Sequence, residues 1–133
     1  PFANGGNGVP YNELELYLMG MLPLSSVSSF DVFTNITSLT INQSTWDFTA
    51  ETRTTYGPVT LENAIGERVP SFTDSQKDFK LLLIVITDDN LSDDEWSRVD
   101  ATAEWFSKIG DDGTSLFNFW EATNGVGSIT IEN

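Results

Sequence analysis

Neither histidine nor cysteine occurs anywhere in the 133 residues. A Ser-His-Asp triad and a Cys-His pair are therefore excluded. A zinc site ligated by His or Cys cannot be assembled from the chain's own atoms either. What remains is carboxylate chemistry, hard-cation binding, or no chemistry at all. The lack of cysteine also argues against a small disulfide-stapled scaffold, and it fits a bacterial secreted protein or a cytosolic one. Basic residues are scarce, 6 against 20 acidic ones, for a net charge of −14. Nucleic acid and anionic membrane are not expected partners, because both require a basic face. No apolar run approaches the ~18 residues of a membrane span. The longest, Leu81 to Ile86, suits a buried strand. A signal peptide is missing and the chain opens Pro1-Phe2, so it reads as a processed or excised piece of something longer.

What is present predicts an α+β fold. Residues 1–10, with Asn4-Gly5-Gly6-Asn7-Gly8, read as an N-terminal loop or linker. Asn12 caps a short helix over about 12–20, stopped by Gly20 and Pro23. The Thr-, Ile- and Val-rich stretch from Phe30 to Trp46 predicts one or two strands, and Asp47 to Tyr56 a loop or an edge strand. Thr60 is expected to cap a helix over 61–65. The run after Asp78 predicts the central strand of a mixed sheet, about 79–87, apolar on both faces. Ser92 and Glu95 form a capping box for a long helix over about 93–109, with Trp96, Val99, Ala103, Phe106 and Ile109 on one face. A last helix over about 115–122, with Trp120 inward, and a strand from Gly127 complete the pattern. No repeat or composition shift marks a boundary, so residues 1–133 read as one domain or subdomain.

Few residues invite chemistry. Asp88, Asp89, Asp93 and Asp94, with Asn90 and Glu95, offer oxygens to calcium, although their spacing is not that of an EF-hand loop. The same residues are explained by a turn followed by an acidic helix N-terminus. Asp111-Asp112-Gly113-Thr114 is a second carboxylate cluster, equally explained as an interhelix turn. Glu13, Glu15, Glu104 and Glu121 supply candidate pairs for glycoside hydrolysis. Asn35, Asn42 and Asn90 head N-x-S/T sequons, which matter only where the source glycosylates.

The block Tyr11-Asn12-Glu13-Leu14-Glu15-Leu16-Tyr17-Leu18-Met19-Gly20-Met21-Leu22-Pro23 resembles a [YF]-S-x-L-[ED]-L-Y-L-M-G-L-x-P segment of secreted bacterial proteins of the zincin-like metallopeptidase type. Pro58 to Gly66, Ser75-Gln76-Lys77-Asp78-Phe79-Lys80 and Phe119 to Gly125 are similar to later blocks of those proteins, in the same order. The likeness runs from about residue 10 to 127. Their H-E-x-x-H helix, which binds zinc and supplies the general base, is absent here. The resemblance therefore implies a C-terminal portion that completes the fold and one cleft wall, secreted with a parent in which zinc is a candidate cofactor. Met19 is the candidate for the methionine that floors the metal in Met-turn zincins; an ordinary core methionine explains it equally well. The expected partner is an upstream segment of the same protein or another copy. The rival expectation is a stand-alone extracellular binding or assembly module without enzymatic activity.

Overall fold

The computed structural model describes residues 8–42 and 45–131. Helix α1, Glu13–Met19, starts where Asn12 Oδ1 accepts the Glu15 N–H at 2.9 Å and Glu15 Oε2 accepts the Asn12 N–H at 2.8 Å. That reciprocal cap satisfies two of the donors a helix start leaves open. Gly20 ends the helix in the left-handed region, φ 81°. There a side chain would strike Ser75 and the Arg68 guanidinium, so only glycine serves.

Strands β1, Phe30–Ile41, and β2, Trp46–Tyr56, form an antiparallel ribbon. A bulge shifts their register between Ile36 and Ser38, next to Asn35 at φ 51°. Phe33 lies opposite Arg53 and Phe48 opposite Leu39, which would keep the two rings about 17 Å apart in a straight ribbon. Their centroids are 4.8 Å apart, so the ribbon folds over at the bulge. Beyond it, Leu39, Ile41, Trp46 and Phe48 share one face, as facing pairs and alternate positions must. All four are exposed.

Helix α2, Pro58–Ile65, begins with proline at its first position, where the missing N–H costs nothing. It starts three residues before the expected 61–65, and Thr60 lies inside it, its hydroxyl accepting the Gly57 N–H at 2.7 Å. Tyr17, Val27 and Leu61 form a small core with Leu14, Leu22, Leu24 and Phe30 packed on it. The Arg68 guanidinium ties the following loop to α1 through Leu18 O at 3.0 Å and Ser75 Oγ at 2.6 Å.

Strand β3, Asp78–Leu81, pairs in parallel with β4, Ser128–Ile131, from Asp78 opposite Ser128 to Leu81 opposite Ile131. Between them come α3, Asp93–Ser107, and α4, Phe119–Ala122. Ser92 and Glu95 cap α3 reciprocally, and Lys108 leaves the helix in an extended conformation. Met21, Asn118 and Thr123 are fully buried, and Met21, Phe119 and Thr123 gather around Gly127. Phe79 meets Phe119 edge-on at 5.7 Å.

The class is α+β, and four expectations need correction. Among the described residues there is no single mixed sheet; the strands make two separate pairs, β1 with β2 and β3 with β4. The central strand over 79–87 is cut to Asp78–Leu81, and the residues from Leu82 to Ile86 are outside any ladder and exposed. The described length of β4 pairs with four residues of β3 only, and a strand with no neighbour and no covering layer has nothing to bury it. The last helix is Phe119–Ala122 rather than 115–122, with Leu116 exposed, and Trp96 faces solvent where an inward position was expected.

Candidate functional site

The turn between α3 and α4 gathers the carboxylates. Gly110 at φ 103° and Gly113 at φ 72° reverse the chain. Asp111 Oδ1 accepts the Gly113 N–H at 2.7 Å, and Asp112 Oδ1 accepts the Thr114 N–H at 2.9 Å. Both are side chains closing their own turn. Asp112 Oδ2 also accepts Trp105 Nε1–H at 3.0 Å and lies 4.0 Å from Lys108 Nζ. Thr114, by hydroxyl and then N–H, holds the Asp112 carboxyl below its ordinary range, with Lys108 and Trp105 adding to it.

Glu121 comes from α4, where Asn118 Oδ1 caps its N–H at 2.9 Å and Glu121 Oε2 accepts the Asn118 N–H at 2.8 Å. Its other oxygen accepts the Asp112 N–H at 3.4 Å. One oxygen each of Asp111, Asp112 and Glu121 lies within 4.8 Å of the others, the sole such group of three among the described residues. The groove alongside has a volume of about 390 Å³ and is lined by Asp111 and Glu121 with Thr114, Phe117, Trp120 and Asn124. Three carboxylates beside an indole suit a hard cation in charge. Asp111 Oδ1, both oxygens of Asp112 and both of Glu121 already accept hydrogen bonds from the turn, from Trp105 or from the α4 cap. The set therefore acts as a brace joining the end of α3 to the start of α4.

No family model, curated protein or solved structure matches this chain. The functional reading therefore rests on the residues and on the order of the sequence blocks. Zinc, which the zincin resemblance implies, does not fit the residues present. The donors are carboxylates alone, whereas zinc sites draw on His or Cys, and each carboxylate is engaged elsewhere.

Asp88, Asp89, Asp93 and Asp94 do not form a comparable cluster. Asp93 and Asp94 stand in the first turn of α3, and the Asp89 backbone exchanges hydrogen bonds with the Thr87 hydroxyl. Met19 is half-buried at the end of α1, one residue from the exposed Leu18. Asn35, Asn42 and Asn90 are all exposed. Asn35 donates to Glu51 Oε2 at 2.6 Å across the ribbon, and residues 43 and 44 of the second sequon lie outside the described residues. Glu13 Oε2 accepts the Ser28 N–H at 2.6 Å, Glu15 caps α1, and Glu121 caps α4, so three of the four glutamates considered for sugar chemistry have structural duties.

Sequence reasoning missed the Arg68 latch, for which a lone arginine in a polar loop gives no local signal. It also missed the fully buried Asn118 and Thr123. Asn118 followed three residues later by Glu121 is a cap signature that was there to be read. Thr123 donates to Phe119 O at 2.8 Å and accepts from Gly127 N at 2.9 Å, closing the turn that leads from α4 toward β4.

Proposed function

We propose that this chain is a non-catalytic C-terminal subdomain of a secreted, zincin-like metallopeptidase-type protein, where it completes the fold and one wall of the cleft. The observation that carries the reading is the bare strand continuation Leu82–Ile86. A two-stranded parallel pair is foreign to isolated folds, since parallel strands are normally covered on both faces. Burying each large aliphatic side chain would gain about 1.5–3 kcal/mol, so the run asks for a covering layer. The half-exposed end of α1, with Leu18 beside Met19, asks for the same. The order of the blocks from Tyr11 to Gly125 adds the family likeness. In this reading the groups that bind zinc and activate water belong to the upstream portion, and this chain supplies packing and shape.

The test is to read the parent open reading frame and produce the longer protein. An upstream H-E-x-x-H, zinc taken up one per chain by the longer protein but not by these 133 residues, and slowed amide exchange at Leu82–Ile86 in the longer protein are the expected results. A parent without that motif favours the rival, a stand-alone assembly module.

A further inference from the structure

The exposures along the bare run alternate: Leu82 80%, Leu83 44%, Ile84 71%, Val85 36%, Ile86 93%. A period of two is the signature of an extended strand with one face partly sheltered and the other open. The sheltered positions continue the inward side of β3, where Phe79 and Leu81 are half-buried. Residues 82–86 thus prolong β3 past its pairing with β4, with Leu82, Ile84 and Ile86 on the open face.

Past Lys80, which stands just before the run on its open side, the charges that follow are of one sign. From Leu81 to Ser97 there is no lysine or arginine, while Asp88, Asp89, Asp93, Asp94 and Glu95 follow the apolar run. Glu95 serves the α3 cap, but Asp88, Asp89, Asp93 and Asp94 take part in none of the ion pairs among the described residues.

We propose that residues 82–86 are a docking strand for a basic polypeptide segment, one that adds an apolar strand beside Leu82–Ile86 and places lysine or arginine against Asp88, Asp89, Asp93 and Asp94. Strand addition supplies main-chain hydrogen bonds from the free edge, and charge sets the choice of partner. A second copy of this chain is the wrong partner, because it brings the same acidic rim and a further −14. This inference rests on the chain being an incomplete unit, and it adds the chemistry of what completes it.

The probes are two peptides of alternating valine and threonine, one flanked by lysines and one by glutamates, titrated against the 133-residue chain. At low salt the lysine peptide should bind at least about tenfold more tightly, and the gap should close at high salt as screening grows. It should slow amide exchange at 82–86 and nowhere else. Ile84→Lys should abolish this binding with the circular dichroism unchanged, and should it unfold, Leu82→Asn takes its place. The double change Asp88→Asn and Asp89→Asn should weaken the lysine peptide alone. Equal binding of both peptides at low salt, binding of neither, indifference to the strand variants, or a dimer that protects 82–86 even at low salt, where the like charges are unscreened, would each overturn the proposal. None of these outcomes bears on the zinc uptake of the longer protein, so the two readings fail separately.

Discussion

Gly20 carries two demands at once, a left-handed backbone and a close approach to Ser75 and Arg68. Gly20→Ala should cost about 2–4 kcal/mol, the sum of the left-handed penalty and of steric displacement, read as a lowered urea midpoint. An unchanged midpoint would mean that the Arg68 latch is loose. Four carboxyls are held below their ordinary values: Glu13 by the Ser28 N–H, Asp31 by Arg53 and then Thr55, Glu95 by Ser92, and Asp112 by Thr114. Each depressed pKa lends stability that is complete above the unfolded value, about 4, and is lost as the pH falls through the lower folded value. The melting temperature should accordingly be flat down to about pH 4 and drop below it. Asp112→Asn should make that drop shallower, and an acid limb unaltered in this variant would place the linkage elsewhere. The cap behind one of these shifts, Ser92 with Glu95, spans three residues, which is why the sequence alone could show it. The partners of Asp31 and Arg68 lie 22 and up to 50 residues away, where no local pattern reaches.

Elements whose causes are local were legible, and those that depend on neighbours were not. Helix α3 was placed to within two residues because Ser92, Glu95 and three acidic residues mark its start. The ribbon was half legible: the Thr-, Ile- and Val-rich stretch from Phe30 predicts strand, but polar Asp47 to Tyr56 reads equally as a loop or an edge strand, and the bulge beside Asn35 and the length of β2 follow from pairing. The apolar run of β3 was read as a buried central strand because sequence reports what a strand can bury, not whether cover is supplied. Ser92→Ala should cost about 0.5–2 kcal/mol in thermal or urea unfolding. By contrast Ile84→Asp, ruinous in a true central strand, should move the isolated chain's stability by no more than about 0.5 kcal/mol, as at other exposed positions. A collapse of the Ile84→Asp protein would show the run to be packed in solution.

At the scale of the molecule, two features pull in opposite directions. Bare apolar surface on Leu82–Ile86 and on the ribbon tip favours association, and a net charge of −14 opposes it. Among the described residues no helix is long and apolar enough to cross a membrane. Charge repulsion acts over about 8–10 Å at ordinary ionic strength and contracts as salt is added, whereas the apolar contacts do not weaken. Salt should therefore act as a switch between the two. At low ionic strength the chain should remain monomeric and bind a hydrophobic dye strongly. As sodium chloride rises, sedimentation should report self-association and dye binding should fall, since the strands now cover one another. The pair Ile84→Asp and Phe48→Ser should suppress both the dye signal and the salt-driven association, while either change alone should suppress part of each. Salt-independent monomers that bind no dye would show that the chain buries its own strands, and the case for an incomplete subdomain would fall with the exposed surface that supports it.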